Sequence, residues 1–233
     1  MSILAKLRII ASIVREGDPY ELIKHIANHI YSSEQCYVLR RDLSQPLTPR
    51  PTAKIPITVR RLEPRDMPQI IAERPTGLLL GVIRSRLRQC YVALTKDGEV
   101  CYLQWIIPPE ERARLRRIRF RDMYAFDDDT VMLEFAYTFK RFRGLGIMGA
   151  ALADIAEENR KARWAVTYVD RENVASLRGC RSAGFFPYML RLDKWRFLHL
   201  TQSIQSPGPL EDFWSAPLNP RTEGKPPSQK RVV

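Results

Sequence analysis

Long apolar runs are missing from this sequence. No stretch of about 18 consecutive apolar residues occurs, which excludes a helix that spans a membrane. The first residues also lack an apolar segment followed by a small-residue cleavage site, so we expect no secretory signal peptide and a cytoplasmic protein. No internal repeat is present. With 233 residues and 45% hydrophobic content, the chain fits one globular domain with appendages.

Cysteine and histidine are scarce, and neither shows the spacing of a metal site. His25 and His29 stand one helical turn apart, as a zinc pair would, but no further ligand motif accompanies them. Surface histidines are therefore the favoured interpretation, and we expect no bound metal. The four cysteines are Cys36, Cys90, Cys101 and Cys180.

Two of these cysteines flank a predicted β-hairpin. The dipeptide Asp97–Gly98 between two apolar runs is typical of a tight two-residue turn. In the register that this turn implies, Cys90 faces Trp105 and Cys101 faces Leu94, which leaves the two thiols too far apart for a disulfide. We therefore expect reduced thiols, as in a cytoplasmic protein.

Acidic residues are the scarcer charged class. The 26 acidic residues stand against 38 lysines and arginines, for a formal net charge of +12, so we expect an anionic partner. The segment 108–129 is dense in both signs, and it is either a solvated loop or a lip over a binding site. It contains Arg112, Arg114, Arg116, Arg117, Arg119 and Arg121, followed by Asp127, Asp128 and Asp129.

Composition divides the chain into four regions. Residues 1–43 are predicted to be an N-terminal helical extension, and residues 44–56 a proline-rich linker. Residues 57–200 are predicted to form the main domain, followed by a mostly disordered tail at 201–233.

The N-terminal extension begins with apolar residues at helical spacing over residues 2–16. Asp18 and Pro19 then begin a second helix, and residues 35–41 can form a strand. Basic side chains on the polar side of the first helix would allow peripheral contact with a membrane surface. Packing of this helix against the core or a partner is the favoured alternative.

The main domain mixes strands and helices, which predicts an α/β fold. The predicted elements are, in order, a strand at 57–62, a helix at 64–73, a hairpin at 88–107, strands at 131–138 and 164–169 separated by a helix at 147–161, and closing strands at 186–192 and 195–200.

A basic, glycine-containing turn joins the strand at 131–138 to the helix that follows. Gly144 and Gly146 allow a tight turn and a close approach of the backbone to a ligand. The first N–H groups of the helix then point at that ligand, and Arg141 and Arg143 add positive charge. The turn lacks both the dinucleotide pattern G-x-G-x-x-G and the G-K-[ST] of a P-loop. We predict a diphosphate site of a third type.

The turn matches the motif R/Q-x-x-G-x-G/A from Arg141 to Gly146. A second register, from Phe142 to Met148, also fits the run y-R-G-x-G-i-G, with Met148 where a last glycine is common. Both registers share the two glycines of the turn, so the site is the same in either.

A second motif follows in the expected order: a strand, then Asn173-Val-Ala-Ser176, then Gly184–Phe185 at the end of a predicted helix. On these two motifs the chain resembles the GCN5-related N-acetyltransferases (GNAT superfamily). The resemblance implies a GNAT fold, with a central mixed, mostly antiparallel sheet flanked by helices. It further implies that the fourth and fifth strands of the domain, here 131–138 and 164–169, are splayed.

The resemblance also implies an acyl donor and the residues that bind it. Acetyl-CoA would place its pantetheine between the splayed strands and its diphosphate on the basic turn, and the chemistry uses no metal. The residues carried over to this role are Ala136, Tyr137, Thr138, Arg141, Arg143, Gly144, Leu145, Gly146, Ile147, Met148, Gly149, Asn173 and Ser176.

For catalysis, the resemblance points to a general base on the fourth strand. Glu134 lies there among apolar residues, where a carboxylate is costly unless it has a partner or a function; a structural ion pair is the alternative. Many family members carry a tyrosine that protonates the leaving thiolate four residues before the Gly-Phe pair, but here that position is Cys180. A thiol is a poorer donor, so Tyr188, Tyr168 or water would have to replace it.

The expected function is the transfer of acetyl from acetyl-CoA to a primary amine by direct attack, with the amine unidentified. The alternatives left open are a catalytically idle module that senses acyl-CoA and an enzyme for longer acyl chains. Nucleic-acid binding through the arginine-rich residues 112–121 is a less favoured alternative, and a homodimer is also compatible with the sequence.

Overall fold

The computed structural model describes residues 31–73, 87–113, 126–197 and 199–207. The predicted helices at the N-terminus, with His25 and His29, lie outside the described residues. So do the arginine-rich residues 114–121 and, of the predicted tail at 201–233, residues 208–233. Residues 201–205 of that predicted tail belong to a strand. No described helix is both long and apolar enough to cross a membrane.

Eight strands and three α-helices make up the described structure. The strands are β1 Tyr31–Asp42, β2 Ile57–Arg61, β3 Gln89–Thr95, β4 Val100–Ile107, β5 Thr130–Thr138, β6 Trp164–Asp170, β7 Phe186–Arg196 and β8 His199–Gln205. The helices are α1 Met67–Ala72, α2 Ile147–Glu158 and α3 Val174–Ser182.

One mixed sheet contains all eight strands, in the order β2-β3-β4-β5-β6-β1-β7-β8. Only β5 and β6 run parallel, and every other pair is antiparallel. The α/β architecture predicted from the sequence, a mixed and mostly antiparallel sheet flanked by helices, is therefore confirmed. The hairpin register also places Cys90 opposite Trp105 as predicted, whereas a bulge after Ala93 removes the predicted pairing of Cys101 with Leu94. All four thiols are free and buried.

Each face of the sheet carries its own apolar core. Helices α2 and α3 cover one face, where Ala151 and Ile155 pack with Leu39 and Phe185. On the other face Ile70 of α1 belongs to a cluster with Val92, Trp105, Met132 and Val166. Strands β4 and β5 contribute to both cores, which explains why β4 is buried along its whole length.

Strand β1 lies inside the sheet, between β6 and β7. This placement differs from the sequence interpretation, which put residues 1–43 in a helical extension outside the main domain. The physical reason is that Cys36–Leu39 is a continuous apolar run, buried on both faces, and only an interior strand can bury such a run. Residues 31–42 are thus part of the sheet itself.

The proline-rich residues 44–56 are also more ordered than a linker, and we refer to them as the strap. Lys54 donates its backbone N–H to the carbonyl of Leu145 at 2.8 Å, and Arg50 contacts Asp154 of α2 at 2.7 Å. Leu47 packs against the core beneath the helices. Because proline fixes φ and removes a donor, few backbone groups in the strap need partners, and it can lie extended across α2.

Arg112 is the only member of the arginine-rich stretch that the structure describes. Its guanidinium donates to the backbone carbonyls of Phe126 at 2.5 Å, Asp127 at 2.8 Å and Thr130 at 2.5 Å. This arginine therefore holds the chain that enters β5, rather than facing a ligand.

Candidate active site

Strands β5 and β6 pair only where they begin. The parallel ladder joins Thr130–Met132 to Trp164–Val166, and beyond it the two strands diverge. A bulge produces this divergence: the β4–β5 register shifts between Leu103 and Trp105, and Phe135 takes a φ of 58°. The splaying predicted for these two strands is confirmed, and the space between them is referred to below as the gap.

The later part of β5 has one paired edge and one edge that faces the gap. Tyr137 pairs with Leu103 and Thr138 with Tyr102 on β4, so these residues are held in extended conformation. Ala136 is exposed at the bulge. Alternate N–H and C=O groups of a strand point to opposite edges, so this segment offers backbone groups to a ligand in the gap. That is the geometry expected for Ala136, Tyr137 and Thr138 as partners of pantetheine.

Glu134 lies at the point where the strands part. The residue is 6% exposed, and its Oε1 accepts the backbone N–H of Tyr168 on β6 at 2.8 Å. Burial raises the pKa of Glu134 to about 8, with Asp170 adding to the rise, while the bond from Tyr168 and the charge of Arg191 oppose it. A carboxylate with a pKa near neutrality is suited to general-base catalysis.

Sequence reasoning does not identify two buried residues that support the backbone at Glu134. Gln104 is buried in the bulge of β4 and donates to the backbone carbonyl of Glu134 at 3.4 Å. The hydroxyl of Tyr102 donates to the side-chain oxygen of Gln104, and burial keeps the pKa of Tyr102 well above its usual value. The one available signal is a lone amide in the apolar strand CYLQWII. These two side chains fix the backbone at the bulge.

The ring of Tyr168, which lies on β6 beyond the end of the β5–β6 ladder, has an aromatic and a cationic neighbour. It meets Phe126 edge-on at 6.4 Å between centroids, and the guanidinium of Arg191 lies 5.1 Å from its centroid. Arg191 also pairs with Asp193 at 3.1 Å, so its charge is partly neutralised. Arg191 and Asp193 belong to β7, and only the order of strands in the sheet brings them near β6.

The basic turn has the backbone that its glycines predict. Gly144 and Gly146 adopt φ values of 77° and 74°, in the left-handed region that other residues rarely adopt. Helix α2 begins immediately afterwards, at Ile147. The N–H groups of its first turn have no partner within the helix, and the positive end of the helix dipole lies behind them. The turn thus has the backbone that an anion site needs, and the binding of an anion there stays a prediction.

The two arginines of the turn are exposed and held by weak contacts. Arg141 pairs with Glu99 at 2.8 Å, with 59% of its side chain exposed. Arg143 donates from Nε to the carbonyl of Thr138 at 3.2 Å. Exposed ion pairs contribute about 0–1 kcal/mol, so both guanidinium groups can turn toward an anion at little cost.

Met148 and Gly149 have a packing role in addition to their backbone N–H groups. A Cβ on Gly149 would lie 2.2 Å from Oγ of Ser182, and a Cβ on Gly179 would lie 3.0 Å from Sδ of Met148. Helices α2 and α3 thus approach closely at these glycines. Leu145, whose carbonyl accepts the Lys54 bond, also packs against the core.

The second motif begins α3. Asn173 is the N-cap, and its side-chain oxygen accepts the backbone N–H of Ser176 at 3.2 Å. The capping role is thus observed directly, and the remaining predicted role of both residues, contact with CoA, stays a prediction.

The two predicted proton donors, Cys180 and Tyr188, lie in different surroundings. Cys180 is fully buried, and that burial, reinforced by the charge of Glu134, raises the pKa of its thiol. Tyr188 lies on β7, three strands from β5, or about 14 Å by the usual strand spacing. It stacks on the guanidinium of Arg40 at 3.8 Å. The sequence does not show that β1 separates β6 from β7. The proton-donor roles of Tyr188 and Cys180 stay predictions.

No metal site is evident in the part of the chain that the structure describes, because no three His, Cys, Asp or Glu side chains come together there.

No family model and no curated protein matches this chain. Solved structures do match. A GCN5-related N-acetyltransferase from Sphaerobacter thermophilus is 18% identical, with a TM-score of 0.49, over 77% of this chain and 58% of that one. An acetyltransferase from the GNAT family of Colwellia psychrerythraea is 12% identical, with a TM-score of 0.49, over 73% and 59%.

A third match is a GCN5-related glucosamine N-acetyltransferase region of a fungal multi-domain protein, 15% identical with a TM-score of 0.48 over 74% of this chain and 22% of that one. This chain thus spans less than two thirds of each of the three structures. Likenesses with TM-scores below 0.5 support no conclusion about what this chain does.

Proposed function

We propose that this chain is a GNAT-type acyltransferase that moves an acetyl group from acetyl-CoA to a primary amine. The observation that carries the proposal is Glu134, buried at the mouth of the gap with a pKa of about 8. It stands on the strand that leads directly into a basic two-glycine turn and a helix N-terminus. A general base and an anion site on one strand-turn-helix unit are what transfer from CoA requires.

Acetyl-CoA would bind along this unit. The diphosphate fits the N-terminus of α2, where Gly144 and Gly146 bring backbone N–H groups to it and Arg141 and Arg143 supply charge. Pantetheine would then extend β5 at Ala136, Tyr137 and Thr138 as an additional strand partner. This path brings the thioester to the bulge, beside Glu134.

The reaction needs a neutral amine, because an ammonium has no lone pair. The amine therefore attacks in its neutral form, after its ammonium proton has passed to solvent. As its nitrogen bonds to the thioester carbonyl carbon, Glu134 removes one proton from that nitrogen. A backbone N–H on the open edge of β5 stabilises the oxyanion that forms, an effect worth about 3 kcal/mol when such donors are preorganised. Collapse of the tetrahedral intermediate forms the amide, breaks the C–S bond and releases CoA thiolate.

The thiolate takes its proton from Glu134 in this proposal. The carboxyl has just received a proton from the amine, and its pKa of about 8 lies close to the value of about 8.5 for an ordinary thiol. The step therefore balances without a tyrosine in the position of Cys180. It also makes Glu134 the group that carries this one proton from nitrogen to sulfur.

A second candidate function is acyl-CoA sensing without catalysis. It is favoured by the buried thiol of Cys180 where many relatives carry a tyrosine, and by the bond that ties Glu134 to Tyr168. In this alternative Glu134 would serve only as the acceptor for the Tyr168 N–H at the edge of β6.

Glu134→Gln separates the two functions. Glutamine keeps the shape and an oxygen that can accept the Tyr168 N–H, but it cannot take a proton. We expect the variant to show the same thermal shift with acetyl-CoA as the wild type and to release CoA to an amine panel at least tenfold more slowly. CoA release is measured with a thiol reagent, over a panel of amino sugars, polyamines, amino acids and lysine peptides.

Gly144→Glu is the matched control for binding, because it places a negative charge in the anion site. It should abolish the thermal shift, which for the wild type at about 100 times the dissociation constant corresponds to about 2.7 kcal/mol. Binding in the wild type with no CoA release to any amine would favour sensing. Absence of a shift with acetyl-CoA, CoA and a longer acyl-CoA would remove both functions.

A further inference from the structure

Strand β8 is the outermost strand beside β7. Its seven residues form a continuous ladder with β7, from His199 opposite Arg196 to Gln205 opposite Leu190. Within the described ranges no strand pairs with its other edge. An edge of this kind presents a row of backbone N–H and C=O groups that another strand can bond.

The composition of β8 leaves this edge unprotected. Proteins usually block pairing at an edge with charged residues or proline. The sequence of β8, HLTQSIQ, contains no lysine, arginine, acidic residue or proline, although 27% of the chain is charged. The opposite edge strand, β2, is protected, because it has only five residues and ends in Arg60 and Arg61.

The residues of β8 are chemically symmetric about Gln202. If a second copy of β8 paired antiparallel about this residue, Leu200 would face Ile204 of the second copy, and Thr201 would face Ser203 of the second copy. Each of these pairs occurs twice, and Gln202 faces itself. Apolar residues thus meet apolar residues and hydroxyls meet hydroxyls, and Ile204, which is 43% exposed, becomes covered.

We propose that β8 is a homodimer interface, in which two copies join their sheets through antiparallel β8 strands about a two-fold axis at Gln202. Such an axis makes the same surface serve both copies, as in most dimers of identical chains. The segment that follows β8 suits the edge less well than a second copy does. It has prolines at 207, 209, 217, 220, 226 and 227, which cannot donate to a ladder.

Charge gives this dimer a distinctive signature. Two chains with a formal charge of +12 each repel one another at long range, and the repulsion weakens as salt is added. The contact itself is uncharged. Association should therefore tighten with sodium chloride, the opposite of what a contact made by ion pairs would show.

Sedimentation of the full chain over a range of concentrations tests the proposal. We expect a monomer–dimer equilibrium in the wild type and monomers in the double variant T201K/S203K, which sets four lysines against one another across the axis. T201E/S203E should also be monomeric, and an equimolar mixture of the two variants should restore dimers. Thr201 and Ser203 are both exposed, so the fold should tolerate these changes.

Thr58→Lys on the protected edge strand β2 is the matched control, and it should dimerise as the wild type does. A second measurement reads the register. Because all four native thiols are buried, a single Gln202→Cys should form an intermolecular disulfide on mild oxidation, whereas Thr201→Cys should do so far less. A wild type that remains monomeric at all concentrations, or a dimer that survives T201K/S203K, would overturn the proposal.

Discussion

Glu134 links the chemistry of the gap to the stability of the fold. In the unfolded chain its carboxyl ionises near 4.5, whereas burial raises its pKa in the folded chain to about 8. Between these two values the folded chain keeps a proton that the unfolded chain has lost. The stability connected with Glu134 is therefore fully present below pH 4.5 and is lost as the pH rises toward 8. A buried base thus costs stability in the pH range where it is ionised and active.

This linkage predicts how Glu134→Gln changes the melting temperature. Glutamine carries no ionisable proton and accepts the same N–H bond from Tyr168, so the variant lacks the pH-dependent loss. As the pH increases from about 5 to about 9, we expect the melting temperature of the variant to rise relative to that of the wild type. Calorimetry in matched buffers measures both melting temperatures. The reverse exchange at a neighbouring buried residue, Gln104→Glu, is unsuitable as a control because it would add a second buried carboxyl. Glu158 is an exposed helix residue, so the curve of melting temperature against pH for Glu158→Gln should run parallel to that of the wild type. A parallel curve for Glu134→Gln would contradict the linkage.

At the scale of the element, the strap packs against the turn that follows α3. Gly184 and Gly98 have nearly the same φ, 80° and 79°, but different surroundings. A Cβ on Gly184 would lie 2.7 Å from a methyl carbon of Leu47 in the strap, whereas a Cβ on Gly98 would have no neighbour within 4 Å. The two glycines therefore separate backbone strain from packing against the strap.

We expect Gly98→Ala to destabilise the fold by about 1–2 kcal/mol, the usual cost of an ordinary residue in this conformation. Gly184→Ala should cost about 1–3 kcal/mol more, because the added methyl group forces Leu47 to move. Urea unfolding of both variants measures the difference. Adding Gly184→Ala to Leu47→Ala should cost less stability than Gly184→Ala costs in the wild type. The new methyl group then no longer overlaps the Leu47 side chain. Equal losses in the two single variants would mean that the strap is not packed there.

Sequence reasoning succeeds for elements whose causes are local. The strand, basic turn and helix from 131 to 158 follow from apolar spacing and two glycines within a short stretch, and the structure confirms them. Sequence reasoning cannot identify contacts between residues that are distant in sequence. The carboxylate of Glu73 accepts the backbone N–H of Lys140 at 2.8 Å and the hydroxyl of Tyr137 at 3.1 Å, which ties the end of α1 to the start of the turn. Nothing near Glu73 in the sequence indicates this role.

At the scale of the whole molecule, the largest difference from the sequence interpretation is the position of β1. Sequence patterns identify a strand at residues 35–41 but not its neighbours, because strand order depends on contacts between distant parts of the chain. In the sheet, β1 pairs with β6 over Cys36–Asp42 and with β7 over Tyr31–Arg40. It therefore connects the strands that bear the gap to β7 and β8.

This position predicts that the main domain cannot fold without β1. A chain trimmed to residues 44–233 would leave an edge of β6 and an edge of β7 unpaired and would lose the buried run Cys36–Leu39 from the core. It would also lose Arg41, which donates to the carbonyl of Ala183 at 3.1 Å beneath α3. We expect this chain to lack a cooperative melting transition and to show no thermal shift with acetyl-CoA. A chain trimmed at the other end to residues 1–207, which keeps all eight strands, should melt cooperatively. If residues 44–233 fold and bind acetyl-CoA as the full chain does, β1 is only an accessory strand, and the sequence-based limits of the domain are right after all.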